Sequence, residues 1–241
     1  MEQLISRIEP QKRRYELVAD KLQEFIVLNH YNEGDLLPTE RKLTEMLGVS
    51  RTVVRESFKI LTQKGLLEIR PGKGAVVTRP NTEVIAGMIE LQLSFTKGDT
   101  QAKLVEVRRT LETAIVALAA ARRSKADIKQ LEETVETMAA NRENQLVCNQ
   151  ADLNFHLGLA QASHNELYGI LLAPIRDLLF QAMERAFEVK NATNEAIDHH
   201  QRILACVKAG DAVKARQEMH AHLDQFERVL KASQRLSKAR V

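Results

Sequence analysis

Four residues in the C-terminal half of this 241-residue chain, Asp152, His156, His200 and His222, have the types and spacing to hold a metal ion. Each interrupts an apolar helical stripe. Asp152, Phe155, His156 and Leu159 share one face, and the i, i+4 spacing of Asp152 and His156 lets both side chains converge on one point. Ile197, His200, Leu204 and Val207 share a second face, and Ala215, Met219, His222 and Phe226 a third. A buried carboxylate is costly unless paired, and a divalent cation would neutralise it while engaging each imidazole. Such donors suit zinc, nickel, iron or manganese rather than calcium, and four protein ligands can leave a position open. The same pattern also fits core histidines hydrogen-bonded to backbone or to one another. His199 and His220 compete with His200 and His222 for the inward direction, while His30 and His164 read as turn or surface residues.

Arg108 adds a second chemical clue. Leu104, Arg108, Leu111, Ile115 and Leu118 form the inward stripe of their helix, which aims a guanidinium at the interior. A buried guanidinium needs an anion, and its fork matches a carboxylate. That anion is either a protein acid, Asp152 or Glu112, or the carboxylate of a ligand. A metal with an open position beside an arginine makes a site for a small carboxylate or hydroxy acid. A metal-dependent enzyme could use the same cluster to activate water, but no clear general base accompanies it.

The elements that position these residues read as long helices. One spans about 101–123, and a second starts at Ser124, where Ser124 and Asp127 resemble a capping box. A third covers roughly 150–162, and a fourth runs from 166 to about 189 with a bend expected at Pro174. The last two are separated by Gly210-Asp211. With a shorter helix after Thr82, a candidate cap, this predicts an all-α bundle of six or seven helices over residues 81–241.

The first 80 residues have a different organisation. Residues 1–10 look irregular, and Tyr15, Val18, Leu22, Phe25 and Ile26 form the stripe of a helix over about 12–29. Thr39 and Ser50 are N-cap candidates for two short helices joined at Gly48, and Leu66–Val77 reads as a hairpin turned at Pro71-Gly72-Lys73-Gly74. This is a helix-turn-helix with a wing. Its second helix would enter a major groove N-terminus first, with Arg51, Thr52 and Arg55 facing bases or phosphates. Lys73 and the exposed hairpin backbone could reach a phosphate or the minor groove. The alternative is that Arg51 and Arg55 merely solvate a surface helix.

Charge supports the first reading. The net +3 is confined to residues 1–80, which hold 14 Lys/Arg against 11 Asp/Glu, whereas residues 81–241 hold 21 of each. Within 38–79 nine basic residues face four acidic ones, which suits a polyanion partner. Two isolated cysteines, no signal-like N-terminus and no apolar run of spanning length predict a soluble cytoplasmic protein without a membrane role.

Leu37 through Leu43, Leu47 through Glu56 and Gly65 through Gly74 together resemble the winged-helix domain of GntR-family transcription regulators. The resemblance implies operator contacts from Arg41, Arg51, Arg55 and the wing glycines Gly72 and Gly74. Val53 departs from the proline of many members. Asp152 through His156, Ala162 through Asn165, and His200 through Leu223 resemble the FCD effector domain of the FadR-like subgroup. Many of its members use an aspartate and three histidines at these positions as metal ligands, and the interval between His200 and His222 selects those two. Arg108, in its Glu-Val-Arg context, and Asn165 become candidate effector contacts. The resemblance thus implies a homodimeric regulator that reads a short DNA palindrome, with zinc foremost among the metals. The expected outcome is repression relieved by a small carboxylate or sugar acid. A long-chain acyl effector, as in the subgroup's namesake, is disfavoured by the intact Asp/His set.

Overall fold

A computed structural model describes residues 12–80, 82–96, 98–186, 189 and 191–239, with backbone alone at 82–83, 181–186 and 236–239. The expectations for residues 1–10 and for the Thr82 cap lie outside what it describes. The chain forms two compact units, one through Val84 and one from Ile85.

In the first unit α1 (Arg14–Leu28) packs on α3 (Arg51–Gln63), and α2 (Glu40–Leu47) on α3 as well. The stripe that predicted α1 is the buried one: Val18, Leu22 and Ile26 meet Leu43, Val54, Phe58 and Leu61 in one apolar core. The hairpin pairs β1 (Leu67–Arg70) antiparallel with β2 (Gly74–Val77) in the register Leu67↔Val77 and Arg70↔Gly74. Leu67, Ala75 and Val77 close the core from the sheet side. The turn between α2 and α3 depends on Gly48, which ends α2 in the left-handed region at φ +62°.

The second unit is helical throughout its described residues. After α4 (Thr82–Ser94) come α5 (Thr100–Arg122), α6 (Lys125–Ala140), α7 (Gln145–Ala162), α8 (Glu166–Ala186), α9 (Ala192–Ala209) and α10 (Ala212–Ala239). Asp99 caps α5, the Ser124/Asp127 capping box starts α6, and Gly210 ends α9 at φ +76°. α7 begins five residues before the predicted start. Asn144 accepts the Val147 N–H at 3.3 Å, a cap that the polar run before residue 150 had concealed. This extension brings Cys148 and Asn149 into the helix that carries Asp152. Ile115, Val116, Leu131, Phe155, Leu159, Ile203 and Met219 form the centre of the bundle. At Gly158 a Cβ would lie 3.0 Å from Leu131 Cδ2, so any larger residue would press on that side chain where α6 and α7 approach. No helix among the described residues is long and apolar enough to cross a membrane.

The space around Gly48 is open, so a substitution there tests backbone strain alone. Gly48→Ala is expected to destabilise the first unit by about 1 kcal/mol, and Gly48→Asn by less, in urea unfolding.

Candidate metal centre and nucleic-acid surface

In the first unit the candidate DNA contacts lie at helix starts and at the wing tip. Thr39 Oγ1 accepts from the Lys42 N–H and Ser50 Oγ from the Val53 N–H, each at 3.3 Å. Both exposed hydroxyls therefore cap helices whose first-turn amides favour an anion. Arg51, Thr52 and Arg55 are exposed on the N-terminal half of α3, and Arg41 on the first turn of α2. Arg55 Nε contacts both Glu40 carboxylate oxygens, at 2.9 and 3.1 Å, which ties the start of α2 to α3. Arg41 pairs with Glu45 at 2.9 Å. Exposed pairs of this kind contribute about 0–1 kcal/mol, so a phosphate or a guanine edge can displace the carboxylate. Gly72 and Gly74 hold φ of +75° and +104° and present Lys73, also exposed, at the tip of the hairpin.

In the second unit five helices deliver one buried polar cluster. α7 supplies Asp152 and His156, α9 His200, and α10 His222. Their ligating atoms all lie within 4.8 Å of one another. His156 Nε2 stands 3.2 Å from His200 Nε2, 3.3 Å from His222 Nε2 and 3.8 Å from Asp152 Oδ1. The tertiary structure settles which neighbours turn inward. His199 is half-buried and meets Arg202 at 2.9 Å, and His220 is exposed.

The outward nitrogens constrain the inward ones. His156 Nδ1 is pressed against the Glu112 carboxylate, and His200 Nδ1 faces the Ala196 carbonyl at 2.6 Å. In a neutral imidazole each of these acceptors places the proton on Nδ1 and leaves a lone pair on Nε2. Two lone pairs thus face each other, with Asp152 Oδ1 at 3.1 Å from His200 Nε2. Arg108 Nη2, 3.3 Å from His156 Nε2, meets one of these lone pairs, and a cation at the centre would engage both; carboxylate or carbonyl support for the far nitrogen is the usual setting of a ligating histidine. Burial lowers His156 to about 3 and pushes His222 well below the ordinary histidine value, with the neighbouring imidazoles acting in the same direction on His222. Both are neutral at physiological pH and competent to ligate. Burial acts to raise Asp152, but the Arg176 guanidinium outweighs it and holds the carboxyl well below its usual range. The cluster can hold a metal.

Arg108 is buried and donates to Glu112, the protein-acid alternative, while its Nη2 lies 3.3 Å from His156 Nε2. The guanidinium carbon sits 4.7 Å from the centroid of the Phe226 ring. Arg176 was missed by sequence reasoning. It is buried on α8 and pairs with Asp152, with Nη1 3.5 Å from Glu112. Leu172, Arg176 and Leu179 follow one apolar stripe, the signal that singled out Arg108, so the clue was present. Asn165 is placed elsewhere. Its side-chain Oδ1 accepts the Leu167 N–H at 3.2 Å at the head of α8, and it lines a different cavity with Asp127 and His164. Its motif position follows from helix capping.

A winged helix-turn-helix and a separate helical unit built round a buried Asp/His₃ cluster define a DNA-binding regulator with a sensory domain. Comparison with known proteins specifies the family. Residues 14–77 match the gntR family of bacterial regulatory proteins, and residues 103–225 match the FCD domain. The HTH-type transcriptional regulator LutR of Bacillus subtilis is 33% identical over 202 residues, covering 82% of this chain and 92% of that protein. The Uxu operon regulator of Haemophilus influenzae is 32% identical, with coverage of 88% and 80%. A solved Streptococcus agalactiae GntR structure superposes with a TM-score of 0.76 at 26% identity, covering 89% of this chain and 99% of that one. The chain belongs to the GntR family, in the branch that carries an FCD domain, and it is a transcription regulator rather than an enzyme.

Removing Arg176 would leave two buried carboxylates short of a cation. Arg176→Met is expected to cost about 3–5 kcal/mol in urea unfolding followed by far-UV circular dichroism.

Proposed function

We propose that this regulator is a repressor released from its operator by a small carboxylate or sugar acid, which binds at a divalent metal held by Asp152, His156, His200 and His222. The observation that carries the proposal is the convergence of His156 and His200 Nε2 lone pairs beside a carboxylate, with their Nδ1 atoms already engaged. Three imidazoles and one carboxylate suit zinc first, with nickel, iron or manganese compatible. The metal would supply a Lewis-acidic position for an acid oxygen. Arg108 would orient that acid, exchanging its contact with Glu112 for one with the ligand carboxylate. Asn165 would serve as a helix cap and not as an effector contact.

Two subunits would act as a cytoplasmic homodimer on a short palindrome, each placing α3 in a major groove. Arg51 and Arg55 would read bases. Thr52, Arg41 and the cap hydroxyls of Thr39 and Ser50 would hold phosphates, and the wing residues Gly72, Lys73 and Gly74 would steady the register. LutR and the Uxu operon regulator are named as regulators, and the NanR proteins of Escherichia coli, 27% identical, as repressors. Derepression requires only that the acid bind the DNA-incompetent arrangement more tightly than the competent one.

Three measurements test this reading. Protein purified with zinc is expected to contain about one metal per chain by mass spectrometry, and His200→Ala well under half of that. Thermal shifts by small acids should vanish on chelation; shifts that survive it would remove the metal from the effector site. On an operator selected from random DNA, Arg51→Ala should lose about 10–100-fold in affinity, with a smaller loss on non-specific DNA, by fluorescence anisotropy at fixed salt. Equal losses on both DNAs would demote Arg51 to a phosphate contact.

A further inference from the structure

A cavity of about 60 Å³ adjoins the Asp/His cluster on the side of α9 and α10. Asp152, His222 and Arg108 form the wall nearest the cluster, and Met138, Phe226 and Val229 give apolar sides. The start of α9 also lines it, with Ala192, Thr193 and Ala196. Asn191 enters that helix in the left-handed region and supplies no side-chain cap, so its side chain does not satisfy the first-turn amides. Asn149 also lines the cavity. It is 7% exposed, and its Nδ2 has no hydrogen-bond partner among the described residues. His222 Nδ1 is likewise without one. Unsatisfied donors and the positive end of an 18-residue helix therefore bound a space whose volume fits roughly four water-sized groups at ~15 Å³ each.

The buried charges lead to the same ligand. Two guanidiniums, Arg108 and Arg176, balance two carboxylates, Glu112 and Asp152, in the described cluster. A divalent metal would leave that interior with an excess of two positive charges, which a low-dielectric site tolerates poorly. A monocarboxylate removes half of the excess and a dicarboxylate all of it.

We infer that the effector is a compact dicarboxylic acid of about three or four carbons, one carboxylate at the metal and the other received by the α9 N-terminus and the Asn149 amide. This rests on the metal-bound acid proposed above and adds a distal subsite with Asn149 as its specificity residue. The methylene segment lies along Met138 and Phe226. An amide or methyl group in place of the second carboxylate leaves the excess charge unneutralised and faces donors with a weaker acceptor or none.

The test is calorimetric titration of the zinc-loaded full chain with succinate, succinamate and butyrate. Succinate should bind at least about tenfold more tightly than either, because the second carboxylate makes charge-assisted hydrogen bonds. In Asn149→Leu that advantage should fall to about threefold or less, with butyrate affinity unchanged. Equal affinities for all three, each lost on stripping the zinc, would overturn the distal subsite while leaving the metal-bound acid intact. No binding by any of them to loaded protein, or binding unaffected by stripping, would overturn the metal-bound acid and this inference with it. If Asn149→Leu does not fold, the ligand series on the unaltered protein decides by itself.

Discussion

The C-terminal unit depends on one balance of charge. Two guanidiniums and two carboxylates are held out of water among three imidazoles, in a bundle whose other interior residues are largely apolar. Each ion alone would cost several kcal/mol to bury. Together they are tolerable because Arg176 bridges Asp152 and Glu112, while Arg108 and His156 share Glu112. The helices that contribute are thereby tied through their polar atoms as well as through their apolar faces. Such a network has few arrangements in which every member is satisfied, so a ligand that competes for one member shifts the others. Arg108 and Asp152 are the members open to that competition, since both line the adjoining cavity.

The N-terminal unit is organised on the opposite principle. Its apolar core is shared by three helices and a hairpin, and its charges lie outside. Arg41, Arg51, Arg55 and Lys73 are exposed, and the ion pairs of Arg41 and Arg55 are weak enough to be exchanged. Cations are thus buried in one unit and exposed in the other, which suits a small enclosed anion in the first case and a polyelectrolyte surface in the second.

Much of this was legible along the chain because it is local. Thr39, Gly48, Ser50, Asp99, Ser124 and Gly210 act at the helix ends where they stand in sequence, through hydrogen bonds and backbone conformations spanning a few residues. The stripes of Val54, Phe58 and Leu61, and of Asp152, Phe155, His156 and Leu159, identify buried faces by their period alone. The start of α7 was misplaced because Asn144 caps it ahead of a mixed stretch with little periodicity. A motif match does not show which way a side chain such as that of Asn165 turns, and here it bonds to the start of α8.

By itself the sequence determined the two-part organisation, the winged helix-turn-helix, the helical bundle and the set of side chains able to ligate. These follow from periodicity, capping and composition. Tertiary structure turns His200 and His222 inward rather than His199 and His220, a choice that periodicity left open and the family resemblance implied, since direction depends on how α9 and α10 are rotated against α7. It decided that Arg108 takes Glu112 in this state, and it recruited Arg176 from a helix in which sequence reading had singled out Pro174 alone. Those pairings join residues far apart in the chain, and distance along a sequence carries no information about which buried charges must neutralise one another.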